Sequence, residues 1–80
     1  MFKIKEYNEL YSDFQSSDSS VIESYYYDDF MNTLIINFKD GGKYLYSGVP
    51  RSVYDRFINH ESHGSFIFHN LKGYPYKKIE

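Results

Sequence analysis

Residues 41–57 read "GGKYLYSGVPRSVYDRF" and decide the fold of this chain. The two glycines permit the positive φ that a tight hairpin turn needs. A strand with alternating tyrosines follows, and Pro50 ends it, because proline offers no N–H to a sheet and has a fixed φ that suits the first turn of a helix. After Pro50 the apolar residues recur at helical spacing, namely Val53, Tyr54, Phe57 and Ile58. The stretch therefore predicts a strand that leads through proline into an amphipathic helix.

Two more β-rich runs precede this stretch, "VIESYYY" at 21–27 and "TLIINF" at 33–38. In the second run Leu34, Ile36 and Phe38 share one face of a strand. The connections between the three runs are short, so sequential strands become antiparallel neighbours. We predict a three-stranded antiparallel β-meander with the proline-started helix across one face, since neither element is stable alone in water.

The segments on either side complete the predicted fold. Gly64 is a suitable stop for the first helix, and Ser65 a suitable cap for a second short helix, "FIFHNLK", which Gly73 closes. Either Phe68 or Ile67 faces inward together with Leu71. The tail "YPYKKIE" is extended at Tyr74, because the residue before a proline disfavours the α region.

Residues 16–20, "SSDSS", hold no apolar residue and are interpreted as a linker. Before them we favour a helix from about Asn8 to Gln15, with a short strand as the alternative. The expected fold class is α+β, a three-stranded antiparallel β-meander followed by two short helices, with a short helical N-terminal extension. Residues 1–18 form the extension and linker, and residues 19–80 form the domain.

The amino-acid composition limits the classes of protein to which this chain can belong. Ten tyrosines and seven phenylalanines in 80 residues supply the core volume, and the chain has no cysteine. Without cysteine there is no thiolate or redox chemistry, and the opening residues lack the segments of a signal peptide, so we expect a cytoplasmic location. The apolar runs are far shorter than the roughly 20 residues of a membrane span, so we expect a soluble protein without a membrane partner.

The residues of the predicted domain resemble the KTSC domain family, a small module found at the C-terminus of some lysyl-tRNA synthetases and as free-standing bacterial or phage proteins. The resemblance covers about residues 19–76. It is carried by Tyr27-Asp28, the Leu-x-Ile-x-Phe strand at 34–38, Gly42-x-Tyr44-x-Tyr46-x-Gly48-Val49-Pro50, Val53-Tyr54, and Ser62-x-Gly64-Ser65-Phe66 with Tyr74 behind.

The resemblance implies a small α+β module without established enzymatic activity, for which nucleic-acid binding is a suggested function. It brings no catalytic residues to this chain. The sequence departs from the family pattern at Ile67 and Phe68, where a more polar pair is common, and in residues 1–18, which lie outside the pattern.

Nucleic acid, either RNA or another single strand, is the expected partner. Tyrosines on one sheet face can stack unpaired bases, although the same rings can equally fill the core. The net charge of −2 opposes nonspecific binding to phosphate, but the C-terminal part is mildly basic. The candidate nucleic-acid residues are Tyr44, Tyr46, Arg51, Arg56, Lys72, Lys77 and Lys78.

The rival interpretation is a protein-interaction module, for example a phage-encoded accessory or inhibitor protein that acts on a host or bacterial complex. Its candidate contact residues are Phe2, Ile4, Leu10 and Phe14. Catalysis is not expected, because no serine lies in a glycine-rich elbow with an orienting acid. No cofactor or metal is expected either, since His60 and His63 at a helix end are typical of solvent-exposed histidines.

Overall fold

Five strands and two helices make up the part of the chain that the computed structural model describes, residues 14–80. The elements are β1 (Gln15–Ser16), β2 (Ile22–Asp28), β3 (Thr33–Phe38), β4 (Gly42–Tyr46), α1 (Arg51–Asn59), α2 (His63–Asn70) and β5 (Tyr76–Lys78). The strands form one sheet in the order β1-β2-β3-β4-β5, and every neighbouring pair is antiparallel. The α+β class and the central meander are confirmed.

The sheet has five strands, two more than the three that the sequence predicts, and the additional strands lie at its edges. Tyr76 and Lys78 of β5 pair with Tyr46 and Tyr44 of β4, so the tail returns along the sheet instead of merely extending. Pairing of this kind satisfies backbone groups that the edge of β4 would otherwise present to water.

At the other edge of the sheet, strand β1 lies where the sequence predicts the end of an N-terminal helix, so that part of the prediction is wrong. Gln15 pairs with Tyr25 and Ser16 with Ser24, so Gln15 lies in a strand and cannot end a helix. The remainder of the predicted helix, residues 8–14, lies outside the described residues except for Phe14, which is not helical.

The serine-rich segment is held against the domain by its own hydroxyl groups. The side chain of Ser17 is 2.7 Å from Nδ1 of His63 in α2. The hydroxyl oxygen of Ser19 accepts hydrogen bonds from the N–H groups of Val21 and Ile22 at 3.0 and 3.3 Å. Composition alone does not reveal these bonds, because they depend on where α2 packs.

The core lies between the helices and one face of the sheet. The register shift between Ile22 and Ser24 is a β-bulge, and it lets Ile22 and Tyr25 face the core although they are three residues apart. The buried cluster is Ile22, Tyr25, Leu34, Ile36, Tyr46, Val49, Phe57, Phe66, Ile67 and Leu71. The predicted alternation of β3 is confirmed by Leu34 and Ile36 in this cluster.

Helix α1 begins directly after Pro50, whose φ and ψ of −66° and 154° keep it extended. Its end differs from the prediction, since His60 caps it and Gly64 lies inside α2. Gly64 packs closely there, because a β-carbon at this position would lie 3.3 Å from the hydroxyl oxygen of Ser19 and 3.5 Å from the side chain of Val21.

The N-terminus of α2 differs as well. Ser62, not Ser65, is the N-cap, and its side chain accepts a hydrogen bond from the N–H of Ser65. Of the two alternatives for the inward face, Ile67 with Leu71 is correct, because Phe68 is 61% exposed.

Within residues 14–80, no helix has the length and apolar character that crossing a bilayer requires.

Candidate functional site

A groove of about 970 Å³ lies between α2 and the outer half of the sheet. We call it the aromatic groove and define it by Phe38, Tyr44, Tyr46, Phe68, Lys72 and Tyr76, all of which line it. Strands β3, β4 and β5 form its floor, and α2 with the following Lys72 forms its wall.

The rings on the floor of the groove contact one another in series. The Phe38 and Tyr44 centroids are 5.7 Å apart at 83°, and the Tyr44 and Tyr76 centroids are 5.9 Å apart at 46°. Tyr46 lies 5.9 Å from Tyr76 on the other side. Tyr46 is directly opposite Tyr76, and the other two contacts join diagonal neighbours on paired strands, so the pairing of the strands fixes the spacing of the rings.

Exposure separates the rings that can meet a ligand from those that only support the floor. Tyr76 and Phe68 are 62% and 61% exposed. Tyr46 is buried, and burial, with smaller contributions from Tyr44 and Tyr76, raises the pKa of its hydroxyl group. Phe68 on the wall and Tyr76 on the floor are therefore the accessible rings.

Two lysines add positive charge to the groove. Nζ of Lys72 lies 4.4 Å from the centroid of the Phe68 ring, a cation–π contact. Lys78 does not line the groove, but it is opposite Tyr44 in the β4–β5 pair and so lies on the same face of the sheet, beside the rim that Tyr44 forms. Asp40 also lines the groove. The chain holds no Asp or Glu between Glu61 and Glu80, which is the segment that forms α2 and β5.

The other predicted cations lie elsewhere. Arg51 pairs with Asp29, and its Nε lies 2.9 Å from Oδ1 of Asp55. The hydrogen bond to Asp55, followed by the charge of Asp29, raises the pKa of Arg51 further. A guanidinium group held between two carboxylates is less available to a phosphate.

Arg56 and Lys77 are also outside the groove. The guanidinium carbon of Arg56 is 5.7 Å from the centroid of Phe66, which does not line the groove. Lys77 is opposite Leu45, on the face of the sheet away from the helices. Of the seven predicted nucleic-acid residues, the structure brings together Tyr44, Tyr46, Lys72 and Lys78.

The three tyrosines of β2 pack against other aromatic rings of the protein. The rings of Tyr27 and Tyr54 stack at 4.3 Å and 9°, and Tyr25 meets Phe57 edge to face at 5.0 Å. Tyr26 lies on the other face of the sheet, where Phe14 stacks on it at 5.6 Å. The packing interpretation thus holds for Tyr25 and Tyr27.

The residues of the protein-interaction alternative are mostly outside the described part of the chain. Phe2, Ile4 and Leu10 lie there, and the structure places only Phe14, half-buried against Tyr26.

His60 and His63 differ in their exposure to solvent. The expectation of solvent exposure is wrong for His63, whose ring packs 4.6 Å from Phe57 and bonds to Ser17. His60 is exposed, and its Nδ1 lies 2.9 Å from the carbonyl oxygen and 3.1 Å from the backbone nitrogen of Ser62. Within residues 14–80, no three His, Asp or Glu side chains are placed to hold a metal ion together.

The sequence interpretation missed both accessible rings. The sequence pattern allows Phe68 as an alternative core residue, although the helical spacing from Ile67 to Leu71 is a signal that places Phe68 outside the core. Tyr76 alternates with Lys77 in the tail, which is a strand pattern, but three residues are too few for a reliable period.

Known proteins match this chain in sequence and in structure. The sequence model described as the KTSC domain matches residues 18–76. A protein of Tsukamurella paurometabola is 40% identical over 53 residues, which cover 66% of this chain and 79% of the relative. The crystal structure of a KTSC domain protein from Yersinia pestis has a TM-score of 0.81 and 35% identity, and the match covers 84% of this chain and 96% of the other. The matched residues 18–76 run from the serine-rich segment to the start of β5.

Proposed function

The chain belongs to the KTSC domain family, and we propose that it is a noncatalytic module that binds single-stranded nucleic acid, RNA in the first place, in the aromatic groove. One observation carries the proposal. Two accessible rings, Phe68 and Tyr76, line one groove together with Lys72, and Lys78 lies at its rim.

Rings and lysines in this arrangement match the two chemical parts of a nucleotide. An unpaired base stacks on an aromatic ring with about 1–3 kcal/mol, regardless of its identity, because every base has a π face. The positively charged lysine side chains can pair with the phosphate groups. Bases inside a duplex are already stacked and cannot reach the rings, so the groove favours single strands.

Local charge supports binding although the whole chain carries a net charge of −2. Lys72, Lys77 and Lys78 are the charged residues between Glu61 and Glu80, and the first and last of them are at the groove. The carboxylate of Asp40 lowers the local positive charge, but it can also accept a hydrogen bond from a base amino group or a ribose hydroxyl.

The polar groups of the groove support a noncatalytic function. Ser65 and His69 are neighbours there, with the hydroxyl oxygen 3.3 Å from Nδ1. However, Nδ1 is also 3.0 Å from the carbonyl oxygen of Ser65, which can only accept a hydrogen bond. A hydrogen bond to that carbonyl requires the proton on Nδ1, and in that tautomer Nδ1 cannot remove a proton from the serine hydroxyl, so the geometry does not favour an activated nucleophile.

The direct test is a fluorescence anisotropy titration of short labelled RNA and DNA single strands and of the matching duplex. Saturable binding of single strands, weaker for the duplex, is expected. With two or three phosphate contacts, log K should fall against log salt with a slope of about −1.4 to −2.1. Lack of single-strand binding at low salt contradicts the proposal.

One observation favours the rival function, protein binding. Phe30 and Met31 at the β2–β3 turn are 92% and 62% exposed. Two adjacent exposed apolar side chains at a turn form a small patch that a protein partner can bury. This turn lies far from the groove, so both kinds of contact can exist in one protein.

A further inference from the structure

The β2–β3 turn presents an apolar surface on a rigid support. We call residues 28–32 the hairpin tip, in which Phe30 and Met31 point into solvent. Oδ1 of Asp28 accepts hydrogen bonds from the N–H groups of Phe30 and Met31 at 3.0 and 3.2 Å. The carbonyl oxygen of Asn32 accepts one from the N–H of Val49 at 2.8 Å. The exposure of Phe30 therefore belongs to a fixed conformation.

The tip is acidic as well as aromatic. Asp28 and Asp29 directly precede Phe30, and Asp55 of α1 lies near Asp29 because both carboxylates pair with Arg51. Three carboxylates and one guanidinium group give this end of the molecule a net negative charge. A phenyl ring beside carboxylates complements a groove that presents exposed rings and lysines.

The groove has the opposite charge and shape. It is concave, apolar in most of its lining, and flanked by Lys72 and Lys78. Within one copy the two surfaces cannot meet, because β3 runs from the tip at Thr33 to Phe38 at the groove. Six residues of strand separate them by roughly 20 Å.

We infer that the hairpin tip of one copy docks in the aromatic groove of a second copy, with Phe30 against Phe68 and Tyr76 and the tip carboxylates near Lys72 and Lys78. The second copy then competes with nucleic acid for the groove. The docking stands on the complementary surfaces, and only its effect on nucleic-acid binding rests on the proposed function.

A tip that docks in a different surface forms either a two-fold dimer, in which each tip fills the groove of the other copy, or a head-to-tail chain of copies. The contact is also small compared with interfaces of stable complexes, which bury at least about 1,200 Å². Weak association that continues to grow with protein concentration is therefore expected.

Analytical ultracentrifugation over a wide concentration range tests the association without nucleic acid. The weight-average mass of the wild-type protein should rise with concentration, whereas Phe30→Ser and Phe68→Ser should each stay monomeric. Arg56→Ala, an exposed change outside both surfaces, should behave as wild type. A wild-type protein that stays monomeric throughout, or a Phe30→Ser variant that associates equally, overturns the inference.

Disulfide trapping tests the geometry, because the chain has no cysteine of its own. Met31→Cys at the tip and His69→Cys at the groove are oxidised as a mixture at high concentration. The mixed dimer should make up clearly more than half of all dimers, which is the fraction that random pairing of equal amounts gives, and replacing His69→Cys with Asn59→Cys on α1 should remove the excess. A random distribution of the three dimers contradicts the docking.

The experiments can contradict the docking without contradicting nucleic-acid binding, and the reverse. Mixed disulfides without any single-strand binding support the docking and contradict the proposed function. Single-strand binding by a protein that neither associates nor forms the mixed disulfide supports the function and contradicts the docking. Where both hold, Phe30→Ser should bind labelled RNA more tightly than wild type at high protein concentration and equally at low concentration.

Discussion

Lys72 lies over Phe68, with Nζ 4.4 Å from the ring centroid, so the wall of the groove presents a charge and a ring side by side. Phe68→Ala removes the ring but leaves the core intact, because the side chain is 61% exposed. We expect affinity for single-stranded RNA to fall about 5- to 150-fold, which corresponds to the loss of one stacked base. Anisotropy titration measures this fall, and the melting temperature should stay near the wild-type value.

Lys72→Ala and Arg56→Ala form a matched pair of charge deletions. Lys72 is at the groove and Arg56 is not, although both side chains are exposed. Lys72→Ala should weaken single-strand binding and make the salt slope shallower by about 0.7, the contribution of one phosphate contact on a single strand. Arg56→Ala should change neither quantity. Equal effects of the two variants would place the contact outside the groove.

The hydroxyl group of Tyr27 fastens β2 to the chain just before α1. It donates a hydrogen bond to the carbonyl oxygen of Val49 at 2.6 Å. Tyr27→Phe keeps the ring stack with Tyr54 but leaves that carbonyl without this donor, so we expect a loss of about 1 kcal/mol in the free energy of unfolding. Urea denaturation measures it. Tyr76→Phe, in which the exposed hydroxyl group faces water, is the control and should change stability by less than about 0.5 kcal/mol.

Stability should decline in alkali because of buried tyrosines. Burial raises the pKa of Tyr54 to about 12, and burial also raises the pKa of Tyr25. In the unfolded chain these groups ionise near pH 10, so the folded state binds more protons between about pH 10 and 12. The free energy of unfolding is therefore unaffected by them below about pH 10 and falls as pH rises towards 12.

Tyr54→Phe isolates this effect from the lysines that titrate in the same range. Its free energy of unfolding should decline less steeply above about pH 10 than that of wild type, in denaturation curves recorded at several pH values. Parallel declines of the two proteins would show that Tyr54 ionises equally easily in the folded and unfolded states.

Gly42 is required by the turn and by the return of the tail. Its φ is +85°, and a β-carbon there would lie 2.2 Å from the carbonyl oxygen of Glu80. Gly42→Ala should lower the free energy of unfolding by at least about 2 kcal/mol through backbone strain and overlap. At Gly73 a β-carbon would have no atom within 4 Å, so Gly73→Ala is the control and should remain close to wild type in thermal denaturation.

Much of the fold can be predicted from short-range pattern. Alternation in residues 33–38 and the proline at position 50 determine β3, β4 and α1, because each signal is complete within a few residues. Strands β1 and β5 have only two and three residues, and they form because the edges of β2 and β4 need partners. That need is a property of the assembled sheet and is not visible in a short segment.

Only part of the candidate site could be predicted from the sequence, because the exposure and pairing of its residues depend on the assembled fold. Tyr44, Tyr46 and Lys72 belong to the expected set, but their exposure depends on which part of the sheet the helices leave open. Arg51 was expected to bind phosphate, whereas the β2–β3 turn brings Asp29 to it from 22 positions away. Long-range pairing of this kind has no signature in the sequence around Arg51.

A two-dimensional 1H–15N correlation NMR titration of the protein with a short RNA single strand tests binding in the aromatic groove most directly. The amide shifts that change should cluster around the aromatic groove, at Tyr44, Phe68, Lys72 and Tyr76, and saturate together. Changes centred on Arg51 and α1, changes on the face of Lys77, or a spectrum unaffected by RNA would contradict the account.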